Sequence, residues 1–183
     1  MRRIIANFFT SVDGVVESPD RWHFPYFSDE MNQLIGAGMQ SASAFLLGRR
    51  GYDDWAAYWP GRTEDPFAGF INDIEKVVLT HRPEDLPEWA NTTVISEDAA
   101  DRVRALKADG EGDIMMSGSA TTVRWLLAEG LLDELHLVVD PIAVGSGARL
   151  FDGAGEVRLE LASSETLPHG VLHVVYTPAA AAA

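Results

Sequence analysis

The sequence predicts an α/β domain built on a central, mostly parallel mixed sheet of about eight strands, with helices on both faces and an antiparallel C-terminal edge. Three observations predict it. Runs rich in β-branched and aromatic residues alternate with helix-patterned runs over the first two-thirds of the chain, an order that builds parallel strands joined by covering helices. The last third carries strand-like runs with no helix between them, which suits antiparallel addition at an edge. The length of 183 residues suits one domain without repeat or linker, expected over residues 1–178, with residues 179–183 a disordered tail.

Arg3–Phe9 reads as the first strand and ends at Ser11-Val12-Asp13-Gly14, where Asp-Gly signals a turn. Ser28 can cap a helix carrying Met31, Leu34, Ile35 and Met39 at helical spacing. Ala44–Leu47 is a buried strand stopped by Gly48, and a helix follows from Arg49 to Trp55. Tyr58–Pro66 is a loop by composition, Phe67–Ile74 a short helix, and Lys76–Thr80 and Thr92–Ser96 are strands. Asp98–Asp109 is a helix ending at Gly110. Asp113–Met116 is a strand entering Ser117-Gly118-Ser119, where Ser117 or Ser119 caps a helix that Gly130 closes. Strands follow at Glu134–Pro141, Val157–Ser164 and Val171–Thr177.

Charge narrows the function. Fourteen basic against 28 acidic side chains leave a net charge of −14, the wrong sign for neutralising nucleic-acid phosphates or an anionic membrane surface. The chain has no cysteine, which removes disulfides, thiolate metal sites and cysteine nucleophiles and fits a reducing, cytoplasmic setting. Polar residues Asn7, Thr10, Ser11 and Asp13 interrupt the N-terminal apolar run before a signal sequence could form. No metal site is expected, because the five histidines show no helical pairing and His169 and His173, on a strand, would lie about 13 Å apart.

Two strand-to-helix turns carry glycine, Gly48-Arg49-Arg50-Gly51 and Ser117-Gly118-Ser119-Ala120-Thr121. Ligands of parallel sheets bind beyond the carboxyl ends of strands. A helix N-terminus there offers free N–H groups to phosphate. Arg49-Arg50 and His81-Arg82 stand at strand ends in an acidic chain, and arginine grips phosphate bidentately; exposed strand ends are also often charged for no such reason. Neither G-x-G-x-x-G nor G-x-x-x-x-G-K-[ST] is present, which disfavours Rossmann and Walker-type sites. Asp29 and Glu30, near Trp22, Phe24, Tyr26 and Phe27, could relay a proton if buried, or could simply be the acidic first turn of a helix.

Taken in order, these motifs resemble a known family. Ser11-Val12-Asp13-Gly14-Val15-Val16 resembles the segment that ends the first strand of the dihydrofolate reductase-like fold, and Phe45–Tyr52 resembles its G-R turn. Asp113–Ala120 occupies the place of its second glycine turn. Leu131–Leu135 with Asp140–Phe151 is similar to a stretch of the RibD C-terminal domain, the reductase of riboflavin biosynthesis, as a stand-alone member. The likeness spans roughly residues 3–177.

The resemblance implies an NADPH-dependent reductase that passes hydride to the carbon of a C=N bond. Gly48, Arg49 and Arg50 would hold cofactor phosphates, Thr80, His81 and Arg82 the ribose and its 2′-phosphate, and Gly118, Ser119, Ala120 and Thr121 the pyrophosphate. Val12 and Asp13 would border the nicotinamide. Asp29 or Glu30 would supply the acid, and Trp22, Phe27, Gly145, Ser146 and Gly147 would face substrate. The implied substrate is a 5-amino-6-(5-phosphoribosylamino)uracil-type pyrimidine, although the first helix carries no cation for its phosphate, leaving Arg21, Arg62 and Arg149. Alternatives are dihydrofolate reduction, or a nucleotide-binding module without turnover, in which Asp29 and Glu30 would face solvent. A homodimer is expected, as is common in the family. Trp55, Tyr58 and Trp59 would either present its apolar surface or merely cover the loop after the second helix.

Overall fold

Ser28, Asp65 and Ser119 start three of the helices, each with its side chain accepting from a backbone N–H of the first turn. The computed structural model describes residues 1–179. Its elements are β1 (Ile4–Ser11), α1 (Asp29–Ser41), β2 (Ala42–Gly48), α2 (Arg49–Ala56), α3 (Pro66–Asp73), β3 (Glu75–Leu79), β4 (Thr92–Ile95), α4 (Ala99–Ala108), β5 (Asp113–Ser117), α5 (Ala120–Ala128), β6 (Glu134–Asp140), β7 (Leu159–Thr166) and β8 (Leu172–Pro178). Short 3-10 turns at Pro19–Arg21, Phe24–Tyr26, Pro83–Asp85 and Pro168–Gly170 were not expected from the sequence; each contains a proline in its first two positions, which suits a tight turn.

The strands form one eight-stranded sheet in the order β4-β3-β2-β5-β1-β6-β8-β7. β1 to β6 run parallel, while β8 pairs antiparallel with both β6 and β7. The antiparallel edge is therefore as expected, but the last strand is inserted inside the preceding one. Of the expected tail, residues 180–183 lie outside the described residues, and the Ala179 N–H donates to the Arg158 carbonyl at 3.0 Å.

Each face of the sheet buries its own side chains. On one, Ile4, Ala6, Leu46, Ile114, Met116 and Leu135 pack with Val103 of α4 and Val123 and Leu126 of α5. On the other, Phe45, Leu47, Val78 and Met115 pack with Tyr52 of α2 and Ile71 of α3, and a separate cluster sets Phe9 and Val138 against Met31, Leu34 and Ile35 of α1. The chain thus leaves β2 toward one face and β5, its neighbour, toward the other. Such a divergence opens a crevice at the carboxyl edge of an α/β sheet.

Lys76 shows how the second helix layer is held. Wholly buried, its Nζ donates to the carbonyls of Ile71, Asn72 and Ile74 at 2.8–3.0 Å and lies 4.8 Å from the Trp89 ring. A cation there closes the C-terminal end of α3, and burial pushes the ammonium down to about 8. Trp55 and Trp59 fill the joint between α2 and α3, with ring centroids 6.2 Å from each other and 5.7 and 5.1 Å from Phe67. Tyr58 stays half exposed with the Arg62 guanidinium stacked over it. These aromatics cover the loop after α2 rather than presenting a docking surface.

Candidate active site

The carboxyl ends of β2 and β5 meet. A Cβ placed on Gly48 would lie 2.4 Å from Thr122 Oγ1 and 2.9 Å from Ser119 Oγ. Only glycine lets the start of α2 come this close to the first turn of α5. Next to it, Gly118 (φ +81) and Ser119 (φ 52) take consecutive left-handed conformations. A Cβ at Gly118 would meet nothing within 4 Å, so this turn has open space before it. The N-termini of α2, which has no side-chain cap, and of α5, whose Thr122 N–H is taken by Ser119 Oγ, therefore converge on one crevice, an arrangement that suits a diphosphate. Gly48, Gly118, Ser119, Ala120 and Thr121 come together as expected.

The basic residues divide. Arg49 does not stand free: its Nε donates to both Asp53 oxygens at 2.8 and 2.9 Å, and its other nitrogens donate to the carbonyls of Arg82 (2.6 Å) and Asp85 (2.8 Å). It acts as a brace between α2 and the loop after β3, with its guanidinium engaged by the protein's own groups at the place expected to hold phosphate. The sequence showed the charge but not that Asp53, one turn on, would take it. Arg50, His81 and Arg82 are exposed beside the crevice. Thr80 is buried, its hydroxyl accepting from the Arg82 N–H at 3.0 Å and fixing that turn.

Asp13 is likewise a hub of the chain. Its carboxylate accepts from the Ser11 hydroxyl (2.6 Å) and the N–H groups of Val144 (3.0 Å) and Gly145 (2.9 Å), while Arg149 Nε donates to its carbonyl at 2.8 Å. It straps the turn after β1 to the loop after β6, and Val12 beside it is 62% exposed. Gly145, Ser146 and Gly147 sit exposed on the strapped loop and have a structural part in it through Gly145. These bonds, the Ser11 hydroxyl first, hold the Asp13 carboxyl at about 2 against an ordinary 3.8. The folded state binds this proton less readily than the unfolded chain, so the stabilisation is complete above pH 3.8 and is lost as pH falls toward 2. Asp13→Asn is accordingly expected to lower the melting temperature at neutral pH, with the gap to wild type closing over that acid window in thermal melts.

Asp29 and Glu30 both face solvent in the first turn of α1. Neither is buried, so neither has the environment that would make it the acid, and the plainer reading of an acidic first turn holds. What the sequence reading missed lies nearby. His23 Nδ1 sits 2.7 Å from Asp140 Oδ2, His23 being 3% and Asp140 0% exposed. The imidazole stacks on Phe9 at 3.7 Å and meets Phe27 edge-on at 5.7 Å. Trp22 is buried, its indole N–H donating to the Glu17 carbonyl. Trp22 and Phe27 therefore flank an imidazole rather than an acid. The one legible signal was a lone histidine inside the aromatic run Trp22–Phe27; its partner stands 117 positions away.

This fold is that of dihydrofolate reductase. Dihydrofolate reductase from Enterococcus faecalis, solved with NADP(H), matches with a TM-score of 0.61 at 15% identity, covering 96% of each chain. A Shewanella sp. PV-4 protein provisionally assigned to riboflavin biosynthesis matches with a TM-score of 0.77 at 19% identity, covering 97% of this chain and 99% of that one. Within this class, the chain belongs to the RibD C-terminal domain family, whose profile matches residues 2–173. The uncharacterized protein YyaP of Bacillus subtilis (strain 168) is 27% identical over 192 residues, covering 96% of this chain and 94% of its own. The family is one of riboflavin-pathway reductases, which makes this chain an oxidoreductase in class.

Proposed function

We propose that this protein is an NADPH-dependent reductase of a 5-amino-6-(5-phosphoribosylamino)uracil-type pyrimidine, acting by hydride transfer to a C=N carbon. The observation that carries the reading is the contact of Gly48 with α5, which joins two helix N-termini into one cradle beside Arg50 and Arg82. The residues fit the cofactor: N–H groups at the starts of α2 and α5 would hold the pyrophosphate, and Arg50 and Arg82 the 2′-phosphate. NADPH, when bound, supplies the hydride. The protein's part is to hold donor and acceptor together, to bring a proton to the substrate nitrogen, and to keep water out. We place the reaction in the cytoplasm, in keeping with a chain free of cysteine. Among the described residues, no helix is long and apolar enough to cross a membrane.

The test is loss of NADPH absorbance in stopped flow, with the phosphoribosylaminouracil and with dihydrofolate in separate runs. Oxidation with the pyrimidine supports the reading; oxidation with dihydrofolate alone replaces it with the folate reaction. The exposure of Asp29 and Glu30 favours one further reading, a nucleotide-binding module, which predicts NADPH binding without oxidation by either compound.

We further propose a homodimer, formed through the sheet rather than through the α2–α3 aromatics. On the outer strands, Leu161 (57% exposed) pairs across from Tyr176, and Leu172 (45% exposed) shares that face with Val174. No ionisable group but Tyr176 stands on this face of β7 and β8, so a second copy of a −14 chain can approach it with little repulsion. Leu161→Glu with Leu172→Glu is expected to halve the mass in light scattering; a monomeric wild type sinks the idea.

A further inference from the structure

We propose that His23, oriented by Asp140, delivers the proton to the substrate nitrogen, an inference that rests on the reductase reading above. The other candidates fail on position. Asp29 and Glu30 point to solvent, and Asp13 has its oxygens bonded to Ser11, Val144 and Gly145. His81 is exposed beyond β3, and His136 and His173 are paired with Glu134 and Glu165 further along the outer strands. His169, in the turn before β8, lies near the end of β6 but is exposed. His23 is the buried histidine where the parallel strands β1 and β6 end, on Phe9 and against the last residue of β6.

Its geometry suits the task. The Nδ1–H donates to Asp140 Oδ2 at 2.7 Å, which leaves Nε2 as the working nitrogen. That Nε2 is buried and has no hydrogen-bond partner among the described residues. An unpaired buried polar atom is disfavoured, so its persistence points to a ligand that completes it. Asp140 is the charged group bonded to the imidazole. Phe9, Val138, Met31, Leu167 and Val171 of the adjoining cluster are apolar and Tyr26 belongs to it, while Glu30, Glu165 and His169 stand on the elements packed beside it and Glu17, Asp20 and Arg21 lie at the segment's surface. Trp22, Phe24 and Phe27 close over the ring at centroid distances of 6.5, 6.2 and 5.7 Å. Substrate reaches Nε2 only if these rings turn aside, and Phe24, 66% exposed, is the least enclosed of them.

The step balances. Hydride from the dihydronicotinamide forms the new C–H bond at the C=N carbon, the π pair moves to nitrogen, and nitrogen takes the Nε2 proton of the imidazolium. The products are the amine, the oxidised nicotinamide and a neutral imidazole, which is recharged from water. The Asp140 carboxylate takes the Nδ1 hydrogen bond and so keeps the transferable proton on the outward nitrogen, Nε2.

The test follows single-turnover oxidation of NADPH by the phosphoribosylaminouracil across pH, with NADPH affinity measured separately. The wild-type rate is expected to fall as pH rises and the acid form is lost. His23→Gln is expected to slow the step ~10²–10⁴-fold and flatten that profile, with NADPH affinity unchanged. Asp140→Asn is expected to slow the step and to change the His23 tautomer balance read by ¹⁵N NMR, because Nδ1 loses the carboxylate that holds its proton. Independently of turnover, the His23 Nε2 resonance in ¹⁵N NMR is expected to shift when the pyrimidine is added without NADPH. Wild-type rate and profile in His23→Gln overturn the proposal alone, as does an Nε2 resonance blind to the pyrimidine. If His23→Gln does not fold, an unslowed step with an unchanged tautomer balance in Asp140→Asn overturns it equally. A wild-type chain that binds NADPH but reduces no acceptor overturns the reductase reading and this proposal together.

Discussion

Gly48→Ala is expected to weaken NADPH binding by about 10–100-fold, on the scale of one charge-assisted hydrogen bond at ~1.5–3 kcal/mol. The added methyl group would lie 2.4 Å from Thr122 Oγ1 and 2.9 Å from Ser119 Oγ, so the starts of α2 and α5 must separate. Overpacking of this kind is also destabilising by about 1–3 kcal/mol, so melting temperature is measured alongside affinity. Gly69→Ala is the control, since a Cβ there meets nothing within 4 Å and α3 takes no part in the cradle. A folded Gly48→Ala protein with wild-type affinity would show that the crevice between β2 and β5 does not hold the cofactor.

The paired substitution Arg50→Ala and Arg82→Ala is expected to reduce the preference for NADPH over NADH by about 100-fold, with NADH affinity little changed, because the two guanidinium groups would meet only the extra phosphate. The comparison uses competitive titration of both coenzymes at fixed ionic strength, since exposed charges are screened by salt. Arg49→Ala belongs in the same series with a different expected outcome. Removing its bonds to Asp53, Arg82 and Asp85 loosens the loop after β3 and weakens both coenzymes together. An unaltered preference in the double variant would displace the 2′-phosphate from this edge.

Local features carried the fold into the sequence, and non-local pairing kept part of the site out of it. Ser28, Gly48, Ser119 and Gly130 mark element ends through backbone geometry within a few residues, so those boundaries were legible. β7 was placed two residues early because seven of its eight residues are exposed, leaving no alternating burial to fix its limits. The insertion of β8 between β6 and β7 is a matter of spatial order, to which hydrophobic pattern is blind. The site divides in the same way. Glycines at strand ends were readable, whereas the partners of Asp13 in the loop after β6 and the partner of His23 lie more than a hundred positions distant. The bonds of Arg49 are hidden for a nearer reason, since a charge at a strand end looks the same whether it awaits a ligand or already has Asp53.

The chain has two lysines, Lys76 and Lys107, and both are buried, at 0% and 8% exposure. Lys76 is enclosed by three carbonyls, and Lys107 donates to the Leu131 carbonyl and to Asp133 at 2.6 Å. Acylating reagents therefore find no exposed lysine on the native fold. Uptake of label by either side chain serves as a clock for global opening of the domain.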